Sequence, residues 1–189
     1  MRAVIIDPPG ELFPIADVKA HLRVDGGDDD GYLEGLVAAA AGWIGGPAGW
    51  LGRSLGMQTL EVTGRCFDDR GLGVIMLPAR PVAEVVAVSY VDTSGVERAI
   101  EPEQYRLIGD IGINPVPGFT WPSTADVPEA VRIRYKAGYE AGHIPAPIRL
   151  AILMLVGQWY GNREAASNRP QVELPFAVEA LLMPFKVLA

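Results

Sequence analysis

The chain has 189 residues, 49% of them hydrophobic, with a net charge of −7 and a pI near 4.8. That length suits one domain, or a domain with a substantial insertion, and supplies enough apolar residues for a core. The acidic balance argues against a general affinity for nucleic acid or anionic membrane, and the single cysteine, Cys66, excludes an intrachain disulfide and points to a reducing compartment.

Met1 to Asp7 carries one basic residue and a very short apolar run, which is not the pattern of a signal peptide. Val4-Ile5-Ile6 reads as a short extended piece ended by Asp7-Pro8-Pro9-Gly10, whose prolines favour an extended arm. A helix is predicted over Ile15 to Arg23, with Ile15, Val18, His21 and Leu22 on one side. Asp28-Asp29-Asp30 suits the positive end of the next helix, Gly31 to about Ile44. That helix places Leu33, Leu36, Val37, Ala40 and Ile44 on its buried side, and Ala38 to Ala41 allow another helix to approach closely. Gly45-Gly46-Pro47 ends it, and Ala48 to Leu55 reads as one further helical turn.

From Met57 the period changes to two. Leu60, Val62, Gly64 and Cys66 alternate with Thr59, Glu61, Thr63 and Arg65, as in a half-buried strand. Val74 to Leu77 is a second short strand. Val82 to Val91 and Val96 to Ile100 flank Asp92-Thr93-Ser94-Gly95, a hairpin turn. Gln104 to Ile108 is a further strand, and residues 109–129, rich in glycine and proline, read as a long irregular loop carrying Phe119 and Trp121. In the last strand Val131, Ile133 and Tyr135 form the apolar face, and Arg132, Arg134 and Lys136 the other.

Ile144-Pro145-Ala146-Pro147 then launches a helix from Ile148 to about Arg163, because proline is tolerated in a first helical turn. Ile148, Ile152, Leu155 and Trp159 fall on one stripe, and Leu150, Leu153 and Met154 make the helix apolar nearly all round. The expectation is that these residues form a bundle core, with part of their cover coming from another copy of the chain. After a break at Arg169-Pro170, Leu174-Pro175 starts a final helix, Phe176 to about Met183. Leu181, Leu182, Phe185, Val187 and Leu188 make an apolar ending that must dock on its own bundle, a neighbouring copy or another protein. The expected fold is α+β: a helical bundle formed by N- and C-terminal helices with an inserted small antiparallel β-domain. Its parts are residues 1–56, 57–140 and 141–189.

Chemistry-bearing constellations are scarce. His21 and His143 have no partner at metal-ligand spacing, and Cys66 lies on an apolar strand face with no base near it. Gly45 to Gly56 lacks the Gly-Lys-Ser/Thr ending of a phosphate loop, and Asp28 to Asp30 lack the spacing of a calcium loop. The serines lack a nucleophile elbow. No catalytic residue, cofactor or metal is expected. Arg132, Arg134 and Lys136 form the one basic cluster able to touch phosphate; an exposed strand face is the plainer reading. The longest apolar helix is too short and too interrupted to span a bilayer, so a soluble cytoplasmic chain with no membrane partner is expected.

Several segments, in order, resemble a phage head–tail connector (adaptor) protein. Ile15-Ala16-Asp17-Val18-Lys19-Ala20-His21-Leu22-Arg23-Val24-Asp25, an acidic turn and an alanine-rich helix look like the start of that family. Trp50-Leu51-Gly52-Arg53-Ser54-Leu55 is similar to its aromatic-x-Gly-Arg-x-Leu element. Tyr90-Val91-Asp92 to Gly95-Val96-Glu97, then Tyr105-Arg106, resembles the hairpin and following strand of longer members with a β insertion. Ile144-Pro145-Ala146-Pro147-Ile148 through Trp159-Tyr160-Gly161-Asn162-Arg163-Glu164 resembles its most recognisable segment. Leu174-Pro175, Val178-Glu179-Ala180-Leu181-Leu182 and Pro184 match its usual ending. The Gly45-Gly46-Pro47 break departs from the pattern.

The resemblance covers almost the whole chain. It implies a non-catalytic adaptor of a tailed phage or gene transfer agent, assembled in the host cytoplasm and carried in the virion. Such an adaptor forms a ring, usually of twelve subunits, seated on the portal protein and joined below to a stopper or tail protein. Genomic duplex DNA passes through its channel without specific binding, and an isolated chain can remain a monomer. Its C-terminal segment, here Leu181 to Leu188, is expected to engage the portal or a neighbour. Net negative charge suits a channel wall that must not hold DNA. The alternative is a non-catalytic β-domain that binds carbohydrate through Phe119 and Trp121.

Overall fold

The computed structural model describes residues 2–67, 73–162 and 175–187. The Arg169-Pro170 break and Leu188 lie outside the described residues. The elements in chain order are β1 (Arg2–Asp7), α1 (Ile15–Leu22), α2 (Asp30–Ile44), β2 (Gln58–Gly64), β3 (Ile75–Met76) and β4 (Val82–Val91). They continue with β5 (Glu97–Ile100), β6 (Tyr105–Ile108), β7 (Gly112–Pro115), β8 (Val131–Ala137), α3 (Ala146–Gly161) and α4 (Phe176–Leu182). Short 3-10 turns cover Pro102–Gln104 and Met183–Phe185. The architecture is mixed α+β with two antiparallel sheets.

Strand β8 shows how the sequence pattern becomes packing. Its side chains alternate between buried Val131, Ile133, Tyr135 and Ala137 and exposed Arg132, Arg134 and Lys136, the two-residue period of a sheet with one wet face. It sits centrally in a five-stranded sheet ordered β1-β2-β8-β4-β5. The register sets Leu60 opposite Tyr135 and Val62 opposite Ile133, so the buried face is continuous. A three-stranded sheet, β3-β7-β6, lies beside it. Ile75, Leu77, Ile113 and Tyr105 join Leu60, Val62, Ile133 and Tyr135 in one apolar cluster.

The helices share a second cluster. Helix α3 lies between α2 and α4, packing far more on each than they do on one another. Ile148, Ala151, Ile152, Leu155 and Val156 are wholly buried within the single chain. The expectation that part of this cover comes from another copy is therefore corrected for these residues. Phe13 and Val18 from the first helical segment, Leu33 and Ile44 of α2, Leu51 and Leu55, and Val178 and Leu182 of α4 close around α3. Leu150 is the exception, 42% exposed.

Several local expectations change. The N-terminal arm is a paired strand: Arg2 to Asp7 line up antiparallel with Thr63 to Thr59. Residues 48–55 form turns rather than a helical turn, because Gly46 and Gly52 take positive φ (85° and 63°) that a helix cannot continue through. Strand β2 ends at Gly64, so Cys66 sits half-buried beyond the strand rather than on its face. The glycine-rich stretch 109–129 contains β7. Gly112 is needed there, because a Cβ at that position would stand 2.2 Å from the Ile75 carbonyl oxygen of the paired strand. At the exit from β8, Gly138 (φ 123°) packs where a Cβ would stand 2.0 Å from the Gly56 carbonyl oxygen. This close approach ties the sheet to the turn region that leads from the helices.

Candidate interaction surfaces

The Trp50–Leu55 element turns out to be a junction. Its backbone reaches α2 through Trp50 N–H to the Trp43 carbonyl (3.0 Å) and Leu51 N–H to the Ile44 carbonyl (2.9 Å). Ser54 N–H reaches the sheet side through the Arg80 carbonyl (3.0 Å). The buried Ser54 hydroxyl accepts from the Gln58 side-chain amide at 2.6 Å, so two buried polar groups satisfy each other.

The same element holds the C-terminal segment. Val187 N–H donates to the Leu51 carbonyl at 2.9 Å. The Arg53 guanidinium donates through Nε to the Phe185 carbonyl. The Lys186 ammonium stands over the Trp50 ring, 3.9 Å from its centroid, a cation–π contact. In the sequence Trp50 to Leu55 stands out as a motif with no task attached to it; an aromatic and a basic residue three positions apart, Trp50 and Arg53, are the available signal.

The residues singled out from the sequence are placed as follows. Ile148, Ile152 and Leu155 lie in the helical core, and half-buried Trp159 stacks on Trp43 with centroids 6.0 Å apart. Leu182 is also core, which corrects its assignment to a docking surface: no part of it reaches the surface of the chain. Leu181 and Phe185 pack against the helical core, and Val187 is partly exposed. The large apolar residues that α4 and the turn after it do offer to solvent are others: Phe176, 87% exposed, and Met183, 52% exposed.

The basic stripe on β8 is matched by carboxylates on its neighbours. Arg134 pairs with Glu61 of β2 at 2.9 Å, Lys136 with Glu84 of β4 at 3.0 Å, and Arg132 lies 3.9 Å from Glu129. Each pair is half in water and adds little stability, yet together they cancel the local positive field. The face therefore offers phosphate little net attraction.

Phe119 and Trp121 do not form an open stacking platform. Trp121 stacks on Phe67 (4.8 Å, 7° between planes), Phe119 meets Trp121 edge-on at 6.0 Å, and the Trp121 indole N–H donates to the Gly73 carbonyl. One face of Trp121 is thus taken up by Phe67 within the chain, and both rings are only partly exposed, which weakens the case for a sugar-stacking platform.

Asp92 and Tyr135 are the two groups held furthest from ordinary titration. The Asp92 carboxyl is lowered, first by the Ser94 hydroxyl, then by Arg98, then by Val96 N–H, all donating to the carboxylate. Burial raises the Tyr135 phenol, whose O–H donates to the Pro78 carbonyl at 2.7 Å. Both are structural: one closes a hairpin turn, the other ties β8 to the segment after β3. Among the described residues no three His, Cys, Asp or Glu side chains gather as a metal site. Among them, too, no helix is long and apolar enough to cross a membrane.

Comparison with family models and with curated proteins gives no match. Solved structures do match. A chain from the virion of a native gene transfer agent particle superposes with a TM-score of 0.78 at 25% identity, over 100% of this chain and 97% of that one. A chain from the neck of the empty particle, computed with C6 symmetry, gives the same values. A chain from the neck of the native particle, computed with C12 symmetry, gives 0.71 at 24%, again over 100% and 97%. The chain has the fold of a phage-like particle neck protein. The likeness to head–tail connectors read from the sequence thus extends to the tertiary structure, end to end, with helices and both sheets included. For a neck protein the surfaces that matter are those that meet other subunits.

Proposed function

We propose that the chain is the head–tail adaptor of a gene transfer agent or tailed phage, a structural protein without catalysis. In this reading twelve copies of the chain form a ring in the particle, beneath the portal, and hand the DNA channel on to a stopper or tail protein. The supporting observation is the full-length likeness to chains from particle necks computed with sixfold and twelvefold symmetry. In the same reading the helices of residues 1–56 and 141–189 form one bundle, and residues 57–140 are an inserted β-domain that recruits β1 as its edge strand.

The C-terminal segment is the proposed portal contact, with Leu181, Phe185, Val187 and Leu188 as its apolar residues. Its hold on Leu51 and Arg53 fixes where it leaves the subunit. DNA would pass without specific binding. The acidic net charge repels phosphate, and the basic residues of β8 are already paired with carboxylates.

The test is attachment to the portal ring. Deleting Phe185 to Ala189 is expected to leave the helical circular dichroism signal intact and abolish co-sedimentation with portal. Normal attachment of the truncated chain would overturn the role of the tail. An image of the particle that places this chain away from the neck would overturn the adaptor reading itself.

A further inference from the structure

We propose that neighbouring copies meet head to tail, the exposed face of α4 of one copy seating in an apolar groove on the α1–α2 flank of the next. The inference rests on the ring reading above and names the surfaces that would build the ring.

The ridge comes first. Phe176 and Ala180 of α4 and Met183 of the 3-10 turn that follows it succeed one another at spacings of four and three on the outward side, with Ala177 and Pro184 beside them, and all are exposed. Half-buried Glu179, three residues after Phe176 and four before Met183, edges this ridge on one side. Val178 and Leu182 hold the opposite side of α4 in the core, so the ridge is rigidly presented. Phe176 and Met183 are the most exposed large hydrophobic residues among those described. A phenylalanine 87% exposed gains nothing from its own chain.

The groove is lined by no residue of α3 or α4. It encloses about 780 Å³ between the segment Pro9 to Phe13, α1 and α2, and its walls include Ile5, Leu12, Phe13, Ile15 and Val37. Ala38, Ala41 and Gly42 form its α2 side, leaving room for a partner backbone to come close. Gly42 is unexplained by the chain itself: a Cβ there would meet nothing within 4 Å, although glycine weakens a helix interior. Glu11 and Glu34 also line the groove, and both are exposed, so their carboxylates can stay in water with a side chain seated between them.

What selects a second copy as the occupant is the placement of the two faces. Ridge and groove share no residue, and the helices that carry them, α4 and α2, each pack on α3 rather than on one another. Two different faces that fit each other give a heterologous contact, and repeating it closes a ring when the rotation between copies divides a full turn. A two-fold pair would instead use one face twice.

The experiment is cross-linking of the full chain at high concentration, with the native thiol removed by Cys66→Ser. Ala177→Cys stands beside the ridge and Ala39→Cys beside the groove, so Phe176 and Ala38 remain in place. With both substitutions, a short bis-maleimide is expected to give a covalent ladder running beyond the dimer. With either one alone it should leave monomers. Adding Phe176→Asp should reduce the ladder about tenfold or more, as loss of a central aromatic anchor does. Gly42→Leu should abolish the ladder while keeping or raising the melting temperature of the monomer, which separates a blocked groove from a failed fold. Rings seen by sedimentation without this ladder would overturn the proposed faces and leave the ring reading standing. Links closed within one chain, or dimers from single substitutions, would overturn the proposal as well. A chain that stays monomeric alone and on a portal ring would overturn both readings.

Discussion

At the scale of single residues, Asp92 shows how one side chain fixes a turn. Its carboxylate accepts from the Ser94 hydroxyl and N–H, from Val96 N–H and from Arg98, and so shapes the β4–β5 hairpin. These donors favour the ionised form, so its folded pKa lies below its unfolded one. The stabilisation is complete above the ordinary carboxylate range and disappears only as pH falls through the depressed value. A carboxyl NMR titration of Asp92 should find its midpoint well below that of the exposed aspartates. Asp92→Asn should make the hairpin insensitive to pH over the same acid window. A normal midpoint would mean that the turn does not form as described.

At the scale of elements, α2 is the informative helix. Its buried side was readable from Leu33, Ala40 and Ile44, which are fully buried. Its outward side carries Gly31, Gly35 and Gly42, and a Cβ at any of them would meet nothing within 4 Å. Glycine in a helix interior is less favourable than alanine because it has more backbone freedom to lose. Gly35→Ala should therefore stabilise the isolated chain by about 0.5–1 kcal/mol, measured by chemical denaturation. A loss of stability would show that α2 is packed more tightly there than the structure has it.

At the scale of the whole molecule, two apolar clusters are joined through the turn region 51–58. Trp43, Trp50 and Trp159 pack with the helical cluster, and Trp121 with the sheets. Their fluorescence can therefore follow the two halves separately. In the native chain all four should report one denaturation midpoint, because the Ser54–Gln58 pair and the Gly138–Gly56 approach couple the halves. Ser54→Ala leaves the buried Gln58 amide without its acceptor and should cost about 1–3 kcal/mol. It should also move the midpoint seen by Trp121 away from that of the helical cluster in single-tryptophan variants. Coincident midpoints after the substitution would place the coupling elsewhere.

By itself the sequence determined the order of the helices and of every strand but one, the proline start of α3, the alternating faces of β8 and the Asp92 hairpin. Each of these rests on neighbours within a few residues, where periodicity, proline geometry and turn chemistry act. It missed β7, because Gly112 and Pro115 look like loop residues until the Ile75 carbonyl is set against them. Tertiary structure alone decided that α3 is covered by its own chain, that Glu61 and Glu84 neutralise Arg134 and Lys136, and that the C-terminal segment rests on the Trp50–Arg53 turn. Arg53 and Phe185 stand 132 residues apart, and Glu61 and Arg134 stand 73 apart. No local pattern encodes such a meeting; it exists only once packing has brought distant segments to the same place.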